Sequence, residues 1–364
     1  METSAAGVAS SKGVKRFVGM LQTLKLTVYR AAKKTGYFAA VVNSSWRRNR
    51  LAILCYHGIA LDDEHRWDPH LYITVDLLRR RLETLRQSGC NILPLGEAVE
   101  RLHGGALPAR SVVLTFDDGF FDFYRKAAPV LREYQAPATV YVSSYYSSLE
   151  RPVFNPMLAY LLWKGAGRTL DWPEVLGNPV SLTSKNQSNT RQRISRFASE
   201  AGYSWREKDA LLSELAGRLA VDYGDLGSRR ILQIMNPDEL RVVAAQGFDP
   251  QLHTHRHRMP KRKDLFVKEI EDNRLALDLA GKGNGVFRHF CYPSGVYYAE
   301  SGGWLRQCGV LSATTCDPGL ASQSSDPYYL PRFCDAMNVR DIVFEGWVSG
   351  AASLLPHRRH KYDD

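Results

Sequence analysis

The sequence predicts an α/β domain in which parallel strands are covered by helices. Three observations carry this. From residue 51 onward, short apolar strands alternate with amphipathic helices, which is the pattern of parallel strands joined by helical crossovers. Two dense polar clusters, Asp117-Asp118-Gly119 and His253-Thr254-His255-Arg256-His257, each follow a strand, and the carboxyl ends of strands are where such folds collect their chemistry. Finally, 364 residues at 44% hydrophobic content suffice for one α/β core of roughly 200–250 residues with chain left for additions. Periodicity alone does not choose between a barrel and an open sheet.

The elements follow in order. Residues 14–42 place Phe17, Leu21, Leu24 and Val28 at helical spacing with Lys and Arg on the other side. This is an N-terminal basic amphipathic helix, packed on its own domain or lying on an anionic membrane. The first fifty residues hold ten Lys and Arg against Glu2 alone, 10 − 1 = +9 of the chain's +10, so the rest of the chain is close to neutral. An acidic partner therefore belongs to the N-terminal segment. Nucleic acid is not expected as a partner, because the body carries no basic-aromatic stripe.

A strand over 51–56 and a helix over 76–87 come next, then strands at 111–116 and 138–143 flanking a helix near 122–134. Residues 150–235 break the rhythm with a Ser/Asn-rich run at 181–190 and a helical stretch at 191–221. Trp163, Trp172 and Trp205 offer this mainly helical insertion a satellite core. Asn236-Pro237-Asp238-Glu239 then gives an N-cap, a first-turn proline and a capping-box Glu, with Gly247 as the stop. A strand to Leu252, a helix from Asp264 and a strand over 287–292 complete the series. The expected division is a basic segment at 1–49, a main domain at 50–149 and 236–345, the insertion at 150–235 and a polar tail at 346–364.

Six cysteines without a CxxC pair read as buried thiols of a reducing compartment. No apolar run approaches the ~20 residues needed to span a bilayer. Residues 14–24 begin like a signal peptide, but Lys25 interrupts the stretch. The expectation is a cytoplasmic protein, either free or peripheral at the inner membrane surface.

Two adjacent carboxylates at a strand end can divide labour, one on a metal and one on protons. Alone, Asp-Asp-Gly is more often a turn. Three of ten histidines within five positions after another strand shift that balance, because a carboxylate with two imidazoles suits zinc, cobalt, nickel or iron.

These two motifs together resemble those of polysaccharide deacetylases of the NodB type, carbohydrate esterase family 4, over roughly residues 50–149 and 230–335. The resemblance implies a deformed (β/α) barrel and a divalent metal, zinc first, held by Asp118, His253 and His257. It further implies Asp117 as general base, Thr254 as the residue steadying the histidine loop, and no ligand role for His255. In the family's Arg-x-Pro-x-Gly motif this chain has Cys291-Tyr292-Pro293-Ser294-Gly295. The backbone N–H of Ser294 matches the oxyanion donor, while the arginine that pairs with the base must come from elsewhere. Arg332, in Leu330-Pro331-Arg332, is the first candidate and Arg288 the second. The family's C-terminal histidine is missing, and His357 in the polar tail is a poor substitute. Tyr56-His57 at the end of the first strand resembles the permuted arrangement of poly-N-acetylglucosamine deacetylases, which makes His57 the general acid. The implied substrate is an N-acetylated glycan. Hydrolysis of another C–N or ester bond, or a non-catalytic glycan- or membrane-surface protein with a degenerate site, are the competing readings.

Overall fold

The computed structural model describes residues 23–279 and 287–355. The central sheet has nine strands among the described residues: Asn91–Ile92 adds in parallel to Ser111–Phe116, Ala321–Ser322 adds antiparallel to Arg50–Tyr56, and the other seven are β1 Arg50–Tyr56, β2 Ser111–Phe116, β3 Thr139–Val142, β4 Asp249–Leu252, β5 His289–Cys291, β6 Ser312–Thr314 and β7 Phe333–Cys334. These seven pair in parallel in the order β6-β5-β4-β3-β2-β1-β7. Just before β7, Leu330 N–H donates to Ala313 O and Thr315 N–H to Leu330 O, both at 2.9 Å. The run 330–334 thus joins β6 back to β1, and the sheet curls into a deformed barrel with one narrow closure.

Alternation along the strands sorts the core. Leu51, Ile53, Val113, Tyr141 and Cys291 pack together with the helix Leu95–His103. Ala52, Leu54, Tyr56, Val112, Leu114 and Phe116 face the covering helices. Every residue of β2 is buried, as expected of strands covered on both faces. The helix Val75–Gln87 starts where the Thr74 hydroxyl accepts from Leu77 N–H, and it buries Leu77, Leu78, Leu82 and Leu85. The helix Pro237–Ala245 opens on the Asn236–Glu239 capping box.

The segment between β3 and β4 leaves and re-enters beside the barrel mouth, through the bridges Pro152↔Gln233 and Phe120↔Ile234. Its helices Phe154–Lys164, Gln187–Glu200, Trp205–Arg218 and Tyr223–Ser228 enclose a hydrophobic cluster of their own, with Trp172 buried in it. The single helical stretch expected at 191–221 is two helices. They part where Gly202 takes φ +65° and Ser204 caps the second helix with Glu207.

Two boundaries need correction. The helix expected over 14–42 is broken in its described part: residues 23–34 are helical, Gly36 turns left-handed at φ +79°, and a second helix spans Tyr37–Asn43. Residues 14–22, with Phe17 and Leu21, lie outside the described residues. The apolar side through Leu24 and Val28 faces solvent, at 59% and 43% exposure, while Tyr29, Phe38 and Val41 are the residues that pack inward.

The polar tail expected from 346 begins later. The helix Asp341–Ser349 buries Phe344, Trp347 and Val348, and Ala351 and Ala352 follow them into the core. Apolar contacts at i, i+3, i+4 and i+7 make this a packed helix. It holds the N-terminal segment in place. Tyr29 lies against Gly346, where a Cβ would come within 2.6 Å of its ring. Buried Arg47 donates to Val348 O and to Ser111 O at the start of β2. The described part of the basic segment is therefore held at the amino ends of the strands.

Candidate active site

At the carboxyl end of β2 the ladder continues one residue further, with Asp117 N–H donating to Tyr56 O at 2.9 Å. The chain then takes two left-handed residues, Asp118 at φ +71° and Gly119 at φ +80°. A Cβ on Gly119 would meet Val142 at 2.9 Å, so the position is closed to other residues on both counts. Asp118 accepts left-handed strain that non-glycine residues rarely carry. The turn sends the two carboxylates to different partners, Asp117 to an arginine and Asp118 to two histidines.

Asp118 Oδ1 lies 3.3 Å from His253 Nε2 and 3.2 Å from His257 Nε2. The ligand atoms of these three residues all fall within 4.8 Å of one another. His253 Nδ1 is 2.8 Å from Cys291 O. A backbone carbonyl can only accept, so Nδ1 donates there and Nε2 is the nitrogen that faces Asp118. Thr254 and His257 are also left-handed, at φ +58° and +53°, and the Thr254 hydroxyl accepts from Arg258 N–H at 3.0 Å, which closes the loop. Burial opposes ionisation of Asp118, yet the His257 and His253 imidazoles hold it well below the usual carboxylate range. Burial lowers His257 and Asp118 raises it, with a net rise. A metal ion would take over the role these shared protons play, and the donor set fits one.

Asp117 is buried and gripped by Arg332, which is also fully buried. Arg332 Nη1 donates to Oδ1 and Nη2 to Oδ2, both at 2.7 Å, a bidentate fork of the strongest kind. Arg332 Nε donates to Thr315 O and Nη1 to the Thr115 hydroxyl, which fixes the guanidinium. Burial pushes the Asp117 carboxyl up, but the Arg332 charge and hydrogen bonds outweigh it and hold the group below its ordinary range. Arg288 stands before β5, exposed, at the opposite end of that strand from Cys291. Of the two candidate arginines only Arg332 meets Asp117. Cys291 stands at the sequence position where the related motif has arginine. Its Sγ lies 3.4 Å from Asp117 Oδ2 and accepts from Arg332 Nη2 at 3.0 Å.

His57, just past β1, has Nε2 3.8 Å from Asp117 Oδ2, too long for a hydrogen bond. It lines the same cleft as Asp118. Ser294 sits in the turn Pro293–Gly295 that follows β5, left-handed at φ +55°, at the carboxyl end shared by the other groups. The His255 ring turns away, 3.0 Å from the Ser144 hydroxyl. His357 lies outside the described residues.

The supporting residues were not foreseen. Buried Asn273, on the helix Lys263–Leu279, accepts from His253 N–H at 2.9 Å and donates to Val142 O and the Ser144 hydroxyl. The Ser143 hydroxyl donates to His253 O, and the Glu269 carboxylate accepts from Arg256 N–H. Nothing in the spacing marks a lone asparagine inside an amphipathic helix as a clamp. Asp118 and His257 open onto a cleft of about 640 Å³ walled on one side by the insertion through Phe154, Asn155 and Lys208.

The family described as polysaccharide deacetylase matches residues 104–199, a range that includes Asp117 and Asp118 and ends before the histidines. Among curated relatives, the poly-beta-1,6-N-acetyl-D-glucosamine N-deacetylase of Escherichia coli strain K12 is 26% identical over 133 residues, 35% of this chain and 20% of that protein. The chain thus spans about a fifth of that relative's length. Among solved structures, the deacetylase PplD of Streptococcus pyogenes, in complex with acetate, aligns with TM-score 0.52 and 20% identity, covering 79% of this chain and 93% of its own. IcaB from Ammonifex degensii aligns with TM-score 0.51 and 19% identity, covering 82% and 97%. At these identities the likeness to the two structures is one of fold.

Proposed function

We propose that the chain, whose residues 104–199 match the polysaccharide deacetylase family, is a metal-dependent hydrolase that removes N-acetyl groups from an amino-sugar polysaccharide or oligosaccharide. The observation that carries the proposal is the separation of the two neighbouring carboxylates, Asp117 locked to Arg332 and Asp118 set between His253 and His257.

Asp118, His253 and His257 would hold a divalent ion, zinc first among zinc, cobalt, nickel and iron. When bound, such an ion supplies Lewis acidity to the amide carbonyl and to water. The residues do the rest. Asp117, kept ionised by Arg332, takes the proton of the attacking water. The Ser294 N–H donates to the oxygen that gains charge as the carbonyl carbon becomes tetrahedral. His57, whose Nε2 lies 3.8 Å from Asp117 Oδ2, gives a proton to the departing amine. The products are acetate and a free amino sugar.

Incubation of metal-supplemented protein with chito-oligosaccharides and with β-1,6-linked N-acetylglucosamine oligomers, followed by mass spectrometry, tests this. Loss of acetyl groups with matching acetate is expected. Acetyl loss only from O-acetylated sugars would favour the ester reading, and no loss from any of them would favour a binding protein.

A further inference from the structure

The cleft has an uneven charge. Lys208, Arg256 and Arg258 line its larger lobe and Arg191 the adjoining one, against Asp68 and Asp118 as the carboxylates of the lining. Arg256 is occupied by Glu269 and Asp272, at 3.1 and 3.2 Å. Among the described residues, Arg191, Lys208 and Arg258 have no carboxylate within ion-pair distance, and Lys208 Nζ instead stands 5.7 Å over the Phe154 ring. Elsewhere in the insertion the cations are mixed: Arg168 and Arg193 donate to the carbonyls of Leu219 and Leu176, and among the described residues Lys185, Arg196 and Arg206 hold no carboxylate. Lys164, Arg218, Arg229 and Arg230 each hold a carboxylate, at 2.5, 2.7, 2.8 and 2.8 Å. Past residue 50 the chain is nearly neutral, since +9 of its +10 lies before that point. Unpaired cations collected along one groove of a near-neutral body are a focused positive field.

We infer that the cleft takes an N-acetylated sugar that also carries an anionic group, a phosphate or a carboxylate, seated against Arg191 and Lys208 of the insertion and Arg258 of the histidine loop. This rests on the glycan-hydrolase reading and adds to it the charge of the substrate. The insertion then acts in specificity: it contributes Arg191 and Lys208 beside a catalytic end that the barrel alone would leave open to neutral glycans.

The test uses three probes on one scaffold: chitotetraose, chitotetraose oxidised to carboxylates at C6, and chitotetraose bearing a reducing-end phosphate. Binding to the full-length Asp117→Asn protein is measured by calorimetry, so that it does not depend on turnover, and acetate release is measured with the wild type. An anionic probe is expected to bind at least about tenfold more tightly than the neutral one at low ionic strength, the size of one solvent-facing charge contact. Which anionic probe wins identifies phosphate or carboxylate. The advantage should vanish at ~0.5 M salt, where screening reaches a few ångströms, and in the double variant Arg191→Glu, Lys208→Glu. Equal binding of the three probes, or a preference that survives both salt and the double variant, overturns the inference. Absence of acetate from all three probes with the wild type contradicts the hydrolase reading alone, and the binding comparison still decides the charge preference.

Discussion

The Asp117–Arg332 pair gives the site its pH behaviour. A carboxyl whose folded value is depressed contributes stability that is fully present above its unfolded pKa, about 3.9, and is lost as pH falls through the folded value. The pair therefore stays intact through the neutral and mildly acidic range. Arg332→Met leaves a buried carboxylate without its counter-charge. We expect the acidic limb of the pH–rate profile to move up by at least about one unit, with stability lowered by about 3–5 kcal/mol. An unmoved acidic limb would show that Asp117 is not the group titrating in turnover. His57→Asn is expected to lower kcat by roughly 10²–10⁴-fold and to change the basic limb while bound metal stays constant. Metal loss in that variant would make His57 a ligand instead of an acid. These residues were legible in the sequence because they sit in short runs, Asp117-Asp118 and His253 to His257, whose spacing survives any fold. Arg332 was legible only through its Leu-Pro-Arg context, and the cysteine at the arginine's sequence position gave no sign that it would touch both members of the pair.

Elements matter here chiefly for what they bring to the histidine loop. The strands were readable from apolar runs such as Val112-Val113-Leu114, and the helix at Pro237 from its capping box. The clamp was not. Asn273 sits in a helix whose outer face is charged, and only the packing of Lys263–Leu279 over the ends of β3 and β4 turns its amide toward His253 N–H, Val142 O and Ser144. Asn273→Leu should leave the fold in place and weaken metal affinity about 10–100-fold, the usual cost of losing a group that positions a ligand. Metal titration followed by calorimetry reads this, and wild-type affinity in the variant would remove Asn273 from the account. The burial of the helix Asp341–Ser349 is illegible in the sequence for a related reason. Gly346, Ser349 and Gly350 dilute its apolar period, and its burial depends on Tyr29, Phe38 and Arg47 from the far end of the chain. Deleting residues 346–364 is expected to cost the protein its cooperative thermal transition, whereas loss of a mere polar tail would leave it unchanged.

At the scale of the whole molecule, the curled sheet brings five distant segments to one rim: His57, the aspartates, the histidine loop, the Ser294 turn and Arg332. From residue 23 on, the basic N-terminal segment is held at the other end of the strands by Arg47 and Tyr29, with Leu24 and Val28 facing outward. Full-length protein is expected to sediment with anionic liposomes at low salt and to be released by high salt, each basic residue near the surface contributing about 1 kcal/mol. Sedimentation unchanged by removal of residues 1–45 would assign that binding elsewhere. The central claim is the division of labour between neighbouring carboxylates. The most direct test is to measure metal content and acetate release together in Asp117→Asn beside Asp118→Ala. Asp117→Asn is expected to keep its metal and lose turnover by roughly 10²-fold or more, and Asp118→Ala to lose both. An empty site in Asp117→Asn, or a full one in Asp118→Ala, would contradict that division.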